Sequence, residues 1–385
     1  MSRFAGRAGP IRLGMVGGGQ GAFIGAVHRI AARMDGHFEL VAGALSSTPE
    51  TARESGAALG LAPDRIYDDF ETMARREARL KDGIEAVAIV TPNHLHFAPA
   101  RAFLRRGIHV ICDKPMTATG AEAKKLAAEA AKSDALFVLT HNYSGYPMIR
   151  QARAMVAEGF LGRLRGVQVE YVQDWLATPV ESQGSKQAEW RTDPARSGAG
   201  GALGDIGTHA FQLAAFVTGE APEAVSADLT SFVTGRRLDD DARVLLRYAS
   251  GAKGALWCSQ VAPGNENRLT LRVYGEDGGL EWSQENPERL VATRLGEAPR
   301  LMTRAVAGPE ATRLQRVPSG HPEGYLEAFA NLYAEAAAAI RAAREGAAAP
   351  AGTLFPDVGD GLAGLRFVEA CVASAKRDGR WTALS

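Results

Sequence analysis

The chain has 385 residues, enough for two domains with well-buried cores. Hydrophobic residues make up 46% and charged residues 23%, and 44 Lys+Arg match 44 Asp+Glu. That balance gives no reason to expect nucleic acid or a membrane surface as partner, and no apolar run is long enough to cross a bilayer. Residues 1–10 carry arginines but no apolar segment and read as a loose tail, not a signal peptide. Cys112, Cys258 and Cys371 are far apart and odd in number, which argues against a disulfide framework or a zinc site and for a reducing cytoplasm.

The apolar run Ile11–Val16 predicts a strand, followed at once by Gly17-Gly18-Gly19-Gln20-Gly21 and a helix over Phe23–Met34. Strand patterns recur at Glu39–Leu45, Ala86–Thr91, Ile108–Cys112 and Leu136–Thr140. Helical patterns separate them at Pro49–Leu59, Asp68–Leu80, Phe97–Arg106 and Gly120–Lys132. Strands alternating with helices predict βαβ units and a doubly wound parallel sheet, an α/β Rossmann domain over 1–145. After a helix near Pro147–Glu158 the pattern changes. Leu164–Val172, Ala224–Thr234, Ala242–Tyr248, Lys253–Ser259, Arg268–Tyr274 and Gly279–Ser283 read as strands, with a helix over Asp205–Val217 among them. Short turns between several of them predict an α+β domain with a mostly antiparallel sheet over 146–385. Gly324–Glu345 and Gly359–Arg377 read as C-terminal helices, expected to pack back on the first domain.

Several residues carry possible chemistry. Gly17-x-Gly19 with Ala22 fits the dinucleotide fingerprint between strand and helix, with Gln20 and Gly21 in the loop. Glycines there let the backbone approach a pyrophosphate at a helix N-terminus. Gly25 as third small residue, in a longer loop, is a second reading. A strand ending in Ala44-Leu45-Ser46-Ser47-Thr48 has no carboxylate for a ribose, so NAD and NADP stay open; Ser46 either binds the cofactor or caps the next helix. Thr91, Asn93 and His96 follow a strand at the same sheet edge, where polar groups line a ligand or cap a helix. Asp113-Lys114-Pro115 follows another strand there; a lysine at that edge suits proton traffic, or simply pairs with Asp113. Downstream, a Gly-rich loop leads to Asp205 and His209, four apart and so on one helical face, a spacing that lets a carboxylate tune an imidazole. A third metal ligand at convincing spacing is lacking, so no metal site is expected.

Together these pieces resemble the Gfo/Idh/MocA oxidoreductase family. The matching elements are Gly17-x-Gly19, Thr91-Pro92-Asn93 with His96, the run His109 to Pro115, and the run Gly200 to His209, in an order that spans about Ile11 to Trp381. A bacterial subgroup is also similar at Ile24-Gly25, His28-Arg29, Trp190-Arg191, Asp193-Pro194 and His321 to Gly324. The resemblance implies NAD(P)-dependent oxidation of a secondary alcohol on a sugar, sugar derivative or cyclitol. It also implies a homo-oligomer, dimer or tetramer, built through the antiparallel sheet. Carried over by position, Lys114, Asp205 and His209 are the catalytic residues, with either Lys114 or His209 as proton acceptor. Tyr143, Trp190 and Arg191 are candidate substrate contacts, or packing residues. Asp113 departs from the family's usual Glu, which keeps the charge and shortens the reach. Two other activities fit the same fold: a cofactor-sensing regulator without catalysis, and a reductase of an imine or unsaturated ring.

Overall fold

The computed structural model describes Arg7 and residues 9–384, so most of the N-terminal tail lies outside the described residues. The chain forms two compact units. One takes Met1–Thr117, Ala121–Gly145 and Leu326–Leu362; the other takes Ala118–Gly120, Tyr146–Tyr325 and Ala363–Ser385.

The first unit alternates strand and helix: β1 (Ile11–Gly17), α1 (Phe23–Met34), β2 (Phe38–Ala44), α2 (Pro49–Ala58), α3 (Phe70–Glu77), β3 (Ala86–Val90), α4 (Phe97–Leu104), β4 (His109–Cys112), α5 (Gly120–Ala130) and β5 (Phe137–Leu139). The five strands are parallel in the order β2-β1-β3-β4-β5. Every residue of β3 and β4 is buried, as in a parallel sheet covered on both faces. The helix expected over Asp68–Leu80 is shorter because Asp69 accepts from Thr72 N–H at 2.6 Å and sets its start. Gly17 pairs with Val90, and Cys112 with Ile89 and Leu139, so β1, β3, β4 and β5 end together. The chain leaves β1 for β2 on one side and returns to β3 on the other, which is the switch point where such sheets bind ligands.

The second unit opens with α6 (Pro147–Ala157) and β6 (Leu164–Val172), then α7 (Lys186–Arg191), α8 (Pro194–Ser197) and α9 (Thr208–Thr218). Then come β7 (Ala224–Thr230), β8 (Asp241–Arg247), β9 (Lys253–Ser259), β10 (Arg268–Gly275), β11 (Gly278–Ser283), β12 (Arg289–Arg294) and β13 (Arg300–Thr303). After α10 (Pro309–Thr312), the chain continues through α11 (Tyr325–Arg344), most of which belongs to the first unit, and α12 (Val358–Ala375) to β14 (Thr382–Ala383). Nine strands form one sheet in the order β13-β12-β11-β10-β6-β9-β8-β7-β14, antiparallel except for the β6–β9 pair. α9 packs on β6, β9 and β10.

Two further expectations are corrected. β7 stops at Thr230, not Thr234, because Phe232 and Val233 donate their N–H groups to the Asp240 carboxylate and leave the ladder. The helix expected from Asp205 begins instead as a π-turn over Leu203–Gly207, and the α-helix starts at Thr208. Strands β12, β13 and β14 and the short helices α7, α8 and α10 were not expected from the sequence; β12 does alternate, with Leu290 and Ala292 inward, and the others are four residues or fewer or, for α7, a single short helix.

Candidate functional site

In the first unit the glycine loop connects β1 to α1. Gly17, Gly18 and Gly21 have φ of 78°, 75° and 76°, a region that disfavours side chains. A Cβ on Gly25 would lie 2.4 Å from the Gly18 Cα, so Gly25, not Ala22, makes the close helix–loop approach. Ala22 is the N-cap and donates to Gly19 O at 3.1 Å. Gly19 N–H donates to Leu45 O at 3.1 Å and Gln20 N–H to Ser55 Oγ at 3.1 Å, so these two amides serve the loop and are not aimed at a ligand. The α1 N-terminus has no side-chain cap and no acidic residue in its first turn. A bare helix N-terminus behind a tight glycine turn fits a pyrophosphate. Ser46 Oγ accepts from Thr48 N–H at 3.1 Å, so its hydroxyl shapes the turn into α2.

The capping reading of His96 is corrected. The residue is fully buried, and its Nδ1 and Nε2 lie 2.7 Å from Pro115 O and 2.7 Å from Thr91 O. Its ring stands between two sheet-edge loops and makes no side-chain cap. Burial lowers its pKa, against the Asp113 charge and both carbonyls. Thr91 Oγ1 donates to Leu95 O at 3.2 Å, and Asn93 is buried in the same turn.

The Lys114–Pro115 peptide is cis. Asp113 accepts from Thr140 Oγ1 at 3.1 Å and sits 3.8 Å from His28 Nε2, too long for a hydrogen bond. Burial pushes the Asp113 pKa up, but His28, Lys114 and His96 outweigh it and hold it below the ordinary carboxylate value. His28 Nδ1 meets Tyr333 Oη at 2.8 Å, so α11 reaches the back of this edge. His141 is buried near Lys114, and burial, with the Lys114 charge, lowers it to about 3. Tyr143 is buried in the turn Asn142–Gly145 that follows.

The second unit gathers the other predicted residues. Asp205 Oδ2 accepts from Arg191 Nε at 3.2 Å and from Gln260 Nε2 at 2.9 Å. The Arg191 guanidinium lies 4.1 Å from the Trp190 ring centroid and 5.8 Å from that of Trp175, and Nη1 donates to Gln187 Oε1 at 2.7 Å. Arg191 thus ties Trp190 and Gln187 to Asp205. His209 is buried, its ring 6.1 Å from Tyr171. Tyr171 Oη and Gln173 Nε2 both donate to Asn267 Oδ1 at 2.7 Å, and Trp175 Nε1 donates to Gln173 Oε1 at 3.0 Å. Asp239 anchors the π-turn: its Oδ1 accepts from Gly201 N–H at 2.7 Å and its Oδ2 from Leu203 N–H at 2.8 Å. Burial raises its pKa to about 6, against those two bonds.

Gln260, Gln173 and Asn267 were missed by sequence reading. Gln260 and Gln173 each stand just past a strand end, the signal that exposed Lys114, while Asn267 lay in a stretch read only as a turn. Among the described residues no three His, Cys, Asp or Glu side chains gather to hold a metal, and no helix is long and apolar enough to cross a membrane.

Comparison with known proteins fits both halves. Residues 11–141 match an oxidoreductase family with an NAD-binding Rossmann fold, and 149–281 match the Gfo/Idh/MocA C-terminal domain. The chain is similar to an oxidoreductase from Sinorhizobium meliloti: 59% identity, 97% of this chain and 99% of that one, TM-score 0.89. It is also similar to an inositol dehydrogenase homolog from Azotobacter vinelandii, complexed with NADH and myo-inositol: 39% identity, all of both chains, TM-score 0.92. A levoglucosan dehydrogenase from Pseudarthrobacter phenanthrenivorans is 28% identical over 96% of this chain and 97% of its own. With the glycine loop at the switch point and both family domains matched in order, this chain belongs to the Gfo/Idh/MocA family and is an oxidoreductase that uses a nicotinamide dinucleotide.

Proposed function

We propose that the chain transfers a hydride between NAD(P) and a secondary alcohol of a sugar, sugar derivative or cyclitol. The observation that carries this reading is the polar belt around Asp205: amides, Arg191 and Tyr171 beside a buried histidine suit a polyhydroxylated ring. Similarity to the homolog complexed with NADH and myo-inositol supports it. The loop around Gly17, Gly18 and Gly21 and the α1 N-terminus hold the pyrophosphate. When bound, the oxidised nicotinamide supplies the hydride acceptor. His209 takes the hydroxyl proton on a ring nitrogen, and Asp205 stabilises the resulting imidazolium. Lys114 donates a hydrogen bond to the substrate oxygen and favours its developing negative charge. Trp190 is held by Arg191 and offers an apolar face to a sugar. The buried free thiols of Cys112, Cys258 and Cys371 suit a cytoplasmic setting.

Purified protein mixed with NAD+ or NADP+ and a polyol panel that includes myo-inositol should build up the near-ultraviolet absorbance of the reduced nicotinamide. Lys114→Ala and His209→Ala should each lower kcat by roughly a hundredfold or more with circular dichroism unaltered. Unchanged turnover in either variant sinks its assignment, and His209→Ala also separates alcohol oxidation from imine reduction, which needs no such base. We also propose a homo-oligomer through the sheet face that carries Gln168, Glu170, Arg243, Leu245 and Trp257, residues aligned by strand register, with Leu245 54% exposed. Light scattering should give a dimer or tetramer, and Leu245→Asp should shift it toward monomer; a wild-type monomer refutes the interface.

A further inference from the structure

The end of the second strand of a dinucleotide-binding sheet meets the 2′-oxygen of the adenosine ribose. Here β2 ends at Ala44 and leads through Leu45, Ser46 and Ser47 into α2 at Pro49, with no lysine or arginine on the way. The first cation is Arg53, and carboxylates from two directions hold it. Its Nη2 lies 2.9 Å from Glu50 and its Nη1 3.7 Å from Asp68. Asp68 arrives there because Tyr67 N–H donates to Gly43 O at 2.8 Å and Ile66 bridges to Gly43, which runs 66–68 beside the end of β2. Glu50 also occupies the first turn of α2. There it already answers the positive helix end that would otherwise draw in a phosphate.

We infer that this chain selects NAD over NADP, and that Glu50, Asp68 and Arg53 are the selecting group. A 2′-phosphate brings roughly two more negative charges. It meets two carboxylates against one guanidinium, so the net sign of the trio opposes it. All three side chains are exposed, so their ion pairs are individually weak; the selection comes from the sign of the cluster acting within a Debye length. The uncharged 2′-hydroxyl of NAD avoids that repulsion. The inference rests on the glycine loop holding a nicotinamide dinucleotide, and is independent of which alcohol is oxidised.

Titration calorimetry on the full chain with NADH and with NADPH tests it without turnover. NADH should bind about tenfold or more tightly at low salt, and the gap should narrow as salt rises. A Glu50→Gln, Asp68→Asn double variant should bind NADPH roughly fivefold more tightly than wild type, with NADH affinity within about twofold. NADPH binding as tight as NADH in the unaltered chain overturns the inference. So does a double variant whose NADPH affinity does not move, or failure to bind either nucleotide. If NADH is preferred as stated but no polyol is oxidised, the substrate reading falls and this inference stands.

Discussion

Arg191 gives Asp205 a permanent counter-charge, and Gln260 adds a neutral donor to the same oxygen. A carboxylate gripped from two sides has its orientation fixed before substrate arrives, which is the preorganisation that makes a polar site effective. Arg191→Met should therefore lower kcat/KM by about tenfold or more while leaving NADH affinity unaltered. Arg191→Lys should recover little, because an ammonium has neither the Nε donor nor the flat face that rests on Trp190. Steady-state kinetics alongside NADH titration checks this, and an unaltered kcat/KM in Arg191→Met would remove Arg191 from the site's machinery. His96 carries a similar lesson. Its residue type and place beyond β3 looked functional, and the structure shows the buried ring held between two backbone carbonyls. Sequence reports that a polar group stands at the sheet edge and not which way it turns.

The strand–loop–helix of β1 and α1 was readable because its causes are local: an apolar run, glycines where φ is positive, then an amphipathic helix. Which glycine makes the close approach was left open between two readings, and packing decides it. Gly25→Ala would put a methyl group against the Gly18 backbone, which cannot yield as a flexible side chain would. We expect a cost of about 1–3 kcal/mol and weakened NADH binding, measured by thermal unfolding and calorimetry. A variant that matches wild type in both would show that α1 shifts freely. The π-turn over Leu203–Gly207 had no sequence signal, since its anchor, Asp239, sits on the far side of β7 in the chain. The i, i+4 spacing of Asp205 and His209 was visible, but it begins in a widened turn and is not a regular helical pair.

Acid should destabilise the fold through buried histidines. His109 accepts the Leu136 N–H on Nδ1 at 2.9 Å, and burial, helped by the Arg344 charge, lowers its pKa to about 4. An unfolded histidine binds its proton at about 6.5. The neutral ring's contribution is thus complete above that value and is lost as pH falls through the window down to about 4, on the order of 3 kcal/mol. His141, lowered to about 3, has the same sign and extends the window downward. Denaturant midpoints measured from neutral to acid pH should fall across this range, and His109→Asn, which keeps an acceptor for Leu136, should flatten part of the slope. An unaltered slope would mean His109 plays no part.

The division of the chain into a parallel and a mostly antiparallel sheet, the glycine loop and the strand-end lysine were all legible in the residues. Each follows from hydrophobic period or backbone freedom within a few positions. The partners were not. Asp205 with Arg191 and Gln260, His28 with Tyr333, Glu85 with Arg344 and Arg53 with Asp68 join residues from different elements. Such contacts depend on how elements pack and on which side chain wins a shared acceptor. Periodicity constrains the face a residue takes, but the group it meets there is set by chain folded from elsewhere.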